Sequence, residues 1–141
     1  MFTLTLVTPE KRIVAGTEIE EVFVPADRGE LNILPGHAPL MTTLTPGILR
    51  YRLKGEAKLN AVAISWGYCQ VNPQGVNVLA ETAERPEEID KARLETQFRT
   101  ASSRLSSSDV DSEALVKYQQ KLAVAEVRKE LISISGNTTS H

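Results

Sequence analysis

The hydrophobic period of this chain changes near residues 84–86 (Glu-Arg-Pro), and this change constrains the fold more than any other feature. Before it, short apolar runs alternate with turn residues; after it, apolar residues recur at helical intervals. A strand period and a helix period do not fit one regular element. The sequence therefore predicts a β-sandwich domain at residues 1–84, a two-helix hairpin at 85–135 and a flexible tail at 136–141.

The first part has the pattern of an all-β sandwich. Residues 49–53 alternate apolar side chains with Arg50 and Arg52, which indicates a half-buried strand. Residues 72–75 (Asn-Pro-Gln-Gly) suit a type I turn with proline at its second position. Similar apolar runs lie at residues 2–7, 19–24, 57–66 and 75–80. Short runs at this spacing, with no helical interval among them, predict about 8–10 short antiparallel strands.

The second part is predicted to be an antiparallel α-helical hairpin. Pro86 suits the first position of a helix, where its missing N–H costs nothing, and residues 106–109 (Ser-Ser-Ser-Asp) would end that helix and cap the next. Each helix carries a narrow apolar stripe: Leu94, Phe98, Ala101 and Leu105 in the first, and Leu115, Tyr118, Leu122 and Ala125 in the second. Helices of about 20 residues are marginal alone in water. The hairpin is therefore expected to fold onto the sandwich or to dock elsewhere, and a free-standing adaptor is one interpretation of it.

Composition argues against two classes of partner. The formal net charge of −2 leaves no basic field for nucleic acid and no polybasic patch for a membrane surface. No apolar run approaches the roughly 18 residues of a membrane span, and the start of the chain lacks the pattern of a targeting segment. We expect contact with a membrane only through other proteins. Cys69, the single cysteine, is expected to be a buried free thiol.

The sequence contains no recognisable catalytic or metal-binding constellation. The two histidines, His37 and His141, do not form a pair with metal-ligand spacing. Ser65 lacks the leading glycine of a nucleophile elbow. Asp27 and Glu30 fit a solvated charged turn. One alternative stays open, namely a small enzyme or ligand-binding module in which His37 acts with Asp27 or Glu30.

The segment at residues 29–40 (GELNILPGHAPL) differs from the other turns of the chain. Two prolines and a glycine in quick succession predict a stiff corner between two apolar strands. His37 follows the Pro35-Gly36 pair directly. From the residues alone, His37 is either a hydrogen-bonded corner residue or a contact for a partner protein, and both interpretations stay open.

This segment and the motifs after it resemble the epsilon subunit of bacterial F-type ATP synthases, which is called delta in mitochondria. That family carries a stretch like Gly-Glu-Leu-x-Ile-Leu-Pro-Gly-His-Ala-Pro-Leu, then Pro-Gly, a triplet like Gly-Gly-Phe, Val-x-Val-Leu-Ala-x-Thr-Ala, and Ile/Leu-Asp-x-x-Arg. The matching positions here are 29–40, 46–47, 66–68 (Trp-Gly-Tyr), 76–83 and 89–93. The motifs occur in order over almost the whole chain.

The resemblance implies a non-catalytic rotor subunit of the proton-translocating synthase. In the family, the sandwich binds the foot of the gamma shaft and rests on the c-ring, so that c-ring rotation is coupled to gamma. Carried over to this chain, Glu30 lies in a loop that faces the c-ring, and His37, Ala38 and Pro39 lie in a corner near gamma or the ring. The hairpin is expected to extend along gamma into the alpha/beta head and to inhibit ATP hydrolysis. The resemblance places such a subunit at the cytoplasmic face of the bacterial inner membrane, as a peripheral protein.

Some members of the family bind ATP between the sandwich and the hairpin through the motif Ile/Leu-Asp-x-x-Arg-Ala, and this chain resembles them at part of that motif. Ile89, Asp90 and Arg93 match that motif, but Leu94 stands at the alanine position. The cations of the second helix are mainly Lys117, Lys121 and Arg128. Lysine lacks the planar fork with which arginine grips phosphate. We therefore expect no resident cofactor and no metal, and ATP stays open as a regulatory ligand.

Overall fold

The computed structural model describes residues 1–106 and 111–139, the last five of these by their backbone alone. The chain divides into two compact units, Met1–Arg85 and Pro86–His141, so the boundary lies where the hydrophobic period changes. The first unit is a β-sandwich and the second contains two α-helices. The predicted fold class is therefore confirmed, although several elements differ from the prediction.

The first unit contains nine strands, all within its fully described residues 1–85. Their hydrogen-bonded order is β1-β8-β7-β4-β2-β5-β6-β9, and both β3 and β1 also pair with β2. The strands are β1 (Thr3–Val7), β2 (Arg12–Ala26), β3 (Gly29–Ile33), β4 (Leu40–Leu44), β5 (Gly47–Leu53), β6 (Leu59–Ile64), β7 (Gly67–Asn72), β8 (Gly75–Ala80) and β9 (Ala83–Glu84).

Strand β2 is much longer than predicted and joins the two halves of the sandwich. The sequence pattern predicted a strand only at residues 19–24, whereas β2 has 15 residues. Its first half pairs with β1 and its second half pairs with β3 and β5, with irregular register in both regions. Such bulges bend a strand and increase its twist. The length of β2 therefore allows it to pair with β1 at one end and with β3 and β5 at the other, and the bulges let it bend between them.

One pair of strands is parallel, which the prediction of an antiparallel sandwich did not include. Strands β1 and β8 run side by side, with Thr3 opposite Gly75 and Val7 opposite Leu79. Parallel neighbours need a long connection between them, and here most of the sandwich lies between the two strands in sequence. The remaining strand pairs are antiparallel.

The core lies between the inward faces of the strands. Alternate residues are buried in β1 and β7, as expected for strands with one solvated face. The most deeply buried aliphatic side chains are Leu4, Leu6, Val22, Val24, Ile33, Leu49, Val62, Ile64, Val76 and Val78. Cys69 is a buried free thiol, as predicted. Burial raises the pKa of Cys69 to about 11, so the thiol is protonated at neutral pH.

The first helix begins later than predicted. Residues Pro86–Glu88 form a single 3₁₀ turn, and α1 spans Lys91–Leu105. Asp90 caps α1, because one carboxylate oxygen accepts hydrogen bonds from the N–H groups of Ala92 and Arg93, at 3.0 and 3.2 Å. The prediction of a helix start at Pro86 is therefore wrong. The carboxylate of an aspartate cap accepts hydrogen bonds from two N–H groups that would otherwise lack a partner. The side chain of Pro86 has no acceptor and cannot cap a helix in this way.

The second helix, α2, spans Ser112–Thr139. It follows α1 after a short connection and packs against it, as in an antiparallel helical hairpin. Asp111 caps it by accepting a hydrogen bond from the N–H of Ala114 at 2.7 Å. Of the predicted caps, Ser106 instead bonds back to Ser102 at the end of α1, and residues 107–109 lie outside the described residues. The tail was predicted from residue 136, whereas α2 continues to Thr139; residues 140 and 141 also lie outside the described part.

The apolar stripes are confirmed in their central parts. In α1, Leu94 and Ala101 are buried and Phe98 is half-buried. In α2, Ala125 is buried, but Leu115 is 36% exposed and does not continue the buried stripe. Leu131, which the prediction omitted, is fully buried, but it lies about 120° around the helix from Ala125 and therefore on a different face from the stripe. A hydrogen bond of 3.1 Å from Arg128 to Gln97 joins the facing sides of the two helices.

Candidate functional site

The corner between β3 and β4, residues 34–39, has a well-defined backbone. The N–H of His37 donates to the carbonyl oxygen of Leu34 at 3.0 Å. Between them lie Pro35 and Gly36, and Gly36 has a φ of 89°. Proline at the second position and a positive φ at the third define a type II turn, which only glycine adopts without strain. The predicted stiff corner therefore has a specific geometric cause.

The predicted partner-binding residues of the corner lie side by side after this turn. His37 is half-buried, and its Nδ1 lies 2.8 Å from the carbonyl oxygen of Ala38. Ala38 and Pro39 are exposed, and so is Leu34 on the other side of the turn. The corner thus presents small and apolar groups on a rigid backbone, while the imidazole has a hydrogen-bond partner within the corner itself.

Glu30 lies on a strand and not in a loop. It is the second residue of β3, and the preceding turn consists of residues 27–28. The side chain is exposed and accepts a hydrogen bond from Arg50 on β5 at 2.7 Å. The Arg50 guanidinium also lies over the ring of Phe23, 5.9 Å from its centroid. Glu30 is therefore part of an ion pair on the surface of the sheet, and its assignment to a loop is wrong.

Residues Asp27, Glu30 and His37 do not assemble into a catalytic group. All three are described by the structure, and no hydrogen bond or ion pair joins His37 to either carboxylate. Glu30 pairs with Arg50, and the N–H of Asp27 donates to the carbonyl of Thr43. The alternative of a small enzyme built on these side chains therefore lacks the geometry that it requires. The described part of the chain also contains no cluster of His, Cys, Asp and Glu suited to a metal ion.

A row of ion pairs, which the sequence pattern did not predict, joins strands β2 and β3 to β5 and the residue after it. Glu18 pairs with Lys54 at 3.2 Å, and Glu21 pairs with Arg52. Together with the pair between Glu30 of β3 and Arg50, they place acidic side chains of β2 and β3 opposite basic side chains of β5 and of the residue after it. The alternation of arginine and apolar residues in β5 was visible in the sequence, but its acidic partners lie about 20 to 36 positions away along the chain.

The sandwich also exposes an apolar surface that the sequence analysis missed. Met41, Tyr68 and Leu79 are 65%, 48% and 44% exposed and lie on the neighbouring strands β4, β7 and β8. Tyr68 is paired with Leu79 on one side and with Thr43 on the other, and Met41 lies on the same face as Thr43. We call these three residues the outer patch. Contiguous exposed apolar side chains mark an interaction surface.

The predicted nucleotide-binding residues lie together at the start of α1. Ile89 is half-buried, and Asp90 and Arg93 are exposed. One carboxylate oxygen of Asp90 is engaged in capping the helix. Leu94, which replaces the alanine of the motif, is buried. The arrangement gives the side chain of Asp90 a structural role that needs no ligand.

Two of the three cations predicted on the second helix, Lys121 and Arg128, have partners within the hairpin. Arg128 donates to Gln97 on α1, and the ammonium group of Lys121 lies over the ring of Tyr118, 5.5 Å from its centroid. Lys117 is exposed. Within residues 1–106 and 111–139, neither helix has the length and apolar content needed to cross a lipid bilayer.

A β-sandwich with a rigid corner and an exposed apolar patch, followed by two packed helices, offers surfaces suited to contact with other proteins. Residues 1–86 match the family model described as ATP synthase, Delta/Epsilon chain, beta-sandwich domain. The chain therefore belongs to the ATP synthase delta/epsilon chain family, as the sequence motifs predicted. It is accordingly a non-catalytic subunit, which confirms the expectation that it is not an enzyme.

Relatives and solved structures agree with this assignment. The chain is 48% identical over 127 residues to an ATP synthase epsilon chain of Bdellovibrio bacteriovorus, covering 90% of this chain and 91% of that one. It is 46% identical over 107 residues to an ATP synthase epsilon chain of Koribacter versatilis, covering 76% and 73%.

Among solved structures, a chain of the Euglena gracilis mitochondrial ATP synthase, in an assembly of OSCP, F1 and c-ring, is similar with a TM-score of 0.80 and 25% identity. The similarity covers 92% of this chain and 79% of that one. A chain of the central stalk and c-ring of the Tetrahymena thermophila mitochondrial ATP synthase has a TM-score of 0.63 at 21% identity, covering 95% of each chain. The second likeness concerns the fold alone.

Proposed function

We propose that this chain is a rotor subunit of the central stalk, which couples rotation of the c-ring to the gamma shaft. Family membership supports this role, as does the similarity to a chain solved together with F1 and a c-ring. In this proposal the protein lies at the cytoplasmic face of a bacterial inner membrane and is held there by its partner subunits.

The observation that carries the proposal is the outer patch. Apolar side chains on three paired strands form a flat, rigid platform, because the backbone hydrogen bonds of the sheet fix their spacing. In our proposal the outer patch packs against gamma. A few side chains near the centre of an interface, tyrosine prominent among them, supply most of its binding energy. The corner residues His37, Ala38 and Pro39, together with Glu30, would then contact the c-ring or the base of gamma.

The test compares two leucines of equal exposure. Leu79 lies in the outer patch at 44% exposure, and Leu59 lies on β6 at 43% exposure. We expect Leu79→Glu to weaken binding to purified gamma by about 30-fold, which corresponds to roughly 2 kcal/mol. Leu59→Glu serves as the control and should change the dissociation constant by less than about two-fold. If the two substitutions change the dissociation constant equally, the outer patch is not the surface that binds gamma.

The hairpin is proposed to act as a brake on ATP hydrolysis by extending toward the alpha/beta head. Its buried stripes are narrow, since few side chains of the described part of the two helices are fully buried. Most of the stability of a helix in a protein comes from tertiary packing rather than from intrinsic propensity. Two arrangements of such a pair can therefore be close in free energy, so that a partner can shift the population between them.

ATP is proposed only as a weak regulatory ligand at the start of α1. Ile89, Asp90 and Arg93 support the proposal by lying close together there. Titration of the full chain with millimolar ATP should shift the amide resonances of Asp90 and Arg93 in a saturable way. GTP at the same concentrations serves as the matched control. Unchanged resonances in the presence of ATP would exclude a nucleotide site in the isolated protein.

A further inference from the structure

A groove of about 400 Å³ lies between α1 and α2. Its volume falls within the range of small-molecule sites, about 300–1,000 Å³. Lys91 and Leu94, in the first turn of α1, line one end of it, but neither Asp90 nor Arg93 is among its described lining residues. The described residues lining the groove are Lys91, Leu94, Glu95, Phe98, Arg99, Lys129 and Ile132.

The floor of the groove is apolar. Phe98 on α1 and Ile132 on α2 are both half-buried, so each keeps part of its surface open to the groove. Leu94 lies deeper and closes the floor between the helices. A ligand that covers this floor with hydrocarbon removes apolar surface from water, and this burial favours binding.

The rim of the groove is cationic. Lys91, Arg99 and Lys129 are among its described lining residues, against one acidic residue, Glu95. The pair between Arg99 and Glu95 is 4.0 Å long and both side chains are largely exposed, so it holds neither side chain firmly. The ammonium group of Lys129 lies 5.5 Å from the centroid of Phe98, directly beside the apolar floor. The rim thus has an excess of two positive charges next to hydrocarbon.

The size of the groove selects the kind of occupant. Lys91 and Arg99 are eight residues apart on one helix, which corresponds to roughly 12 Å. That length suits a short alkyl chain. A stable protein interface covers about 800 Å² per partner, and a groove of this length does not provide such an area. The charge of the rim complements an anionic head group.

We propose that the groove between α1 and α2 binds a small single-chain amphiphile with an anionic head group, with a carboxylate such as that of a fatty acid as the type case. The alkyl chain covers Phe98 and Ile132, and the head group lies between Lys129 and the cations of α1. This inference goes beyond the rotor function and does not depend on it. Binding there would bury hydrocarbon against both helices and so favour the arrangement in which α1 and α2 pack against each other.

The test uses the full chain and two probes of equal chain length, octanoate and octan-1-ol, followed by NMR. Octanoate should give saturable shifts confined to the methyl groups of Leu94 and Ile132 and the ring of Phe98. The alcohol lacks the charge and should bind about two- to five-fold more weakly, the contribution of one exposed ion pair. Equal affinity for the two probes, or shifts spread over the sandwich, would overturn the proposal.

Two substitutions remove a positive charge from the rim and leave the apolar residues of the floor unchanged. Lys129→Gln and Arg99→Gln should each weaken octanoate binding by about two- to five-fold and leave octanol binding unchanged. Lys117→Gln is the matched control, because Lys117 is an exposed lysine of α2 that does not line the groove. If Lys117→Gln weakens octanoate binding as much as Lys129→Gln, the rim has no specific role and the proposal fails.

Discussion

Gly67, at the start of β7, lies so close to β8 that any side chain at this position would clash with the neighbouring strand. A Cβ at this position would overlap the carbonyl oxygen of Leu79 and would lie 2.9 Å from the Cα of Ala80. Both atoms belong to the backbone of β8, which cannot move without breaking the pairing of β7 with β8. The glycine is therefore required by the close approach of the two strands and not by its own dihedral angles.

We expect Gly67→Ala to lower the free energy of unfolding by about 2–3 kcal/mol, the usual cost of overpacking. The measurement is urea unfolding followed by circular dichroism. Gly55→Ala is the control, since its added Cβ meets nothing within 4 Å and its positive φ should cost only about 1 kcal/mol. A smaller loss for Gly67→Ala than for Gly55→Ala would contradict the steric explanation.

Cys69 makes the stability of the sandwich sensitive to alkaline pH. Burial raises the pKa of its thiol from 9.0 to about 11. Between these values the unfolded chain has lost the thiol proton while the folded chain keeps it, so the folded state binds more protons and stability falls as pH rises. The midpoint of urea unfolding should therefore decrease between pH 8 and pH 10.5 by more than in Cys69→Ala. An identical decrease in the variant would show that other groups account for it.

At the scale of single elements, the cap of α1 determines where the hairpin begins. The carboxylate of Asp90 accepts hydrogen bonds from two amides of the first turn. Asp90→Ala should cost about 1 kcal/mol of helix stability, which corresponds to about five-fold faster hydrogen exchange at Ala92 and Arg93. Asp90→Asn keeps the capping oxygen and should exchange nearly as slowly as the wild type. Rapid exchange in both variants would point to the charge rather than to the cap.

At the scale of the whole molecule, the sandwich contains its own core. The main cluster of buried apolar residues lies between Phe2 and Ala83, within the first unit. A chain ending at Arg85 should therefore unfold in one cooperative thermal transition, because no side chain of that cluster is removed. Loss of the cooperative transition would show that the sandwich needs the helices.

The same truncation tests the proposed brake. Synthase assembled with the chain ending at Arg85 should retain the subunit and hydrolyse ATP faster than synthase with the full chain. A full chain carrying Leu59→Glu serves as the control for altered assembly. Unchanged hydrolysis by the truncated complex would mean that the hairpin is structural in this protein.

Much of the fold could be predicted because its signals are local. The alternation around Tyr51 and the turn at residues 72–75 arise from residues next to each other in the chain, and the structure contains the corresponding strands. The same holds for the corner at residues 34–39, whose proline and glycine directly impose a type II turn. The helix start was misplaced because Pro86 and Asp90 both carry a start signal, and the capping hydrogen bonds favour Asp90.

The candidate site was predicted only in part, because its surfaces combine residues from distant strands. Glu30 and the corner were found through motifs, but the outer patch needs β4, β7 and β8 to lie side by side. No period in the sequence indicates that Met41, Tyr68 and Leu79 share one face.

The sequence by itself determined the two-part architecture, the boundary near residue 85 and the family, because side-chain period, turn residues and contiguous motifs are properties of neighbouring residues. Only the tertiary structure decided the parallel pairing of β1 with β8, the length of β2 and the exposed apolar face. These features depend on contacts between residues far apart in the chain, and such contacts are selected by the packing of the whole core rather than by any local preference.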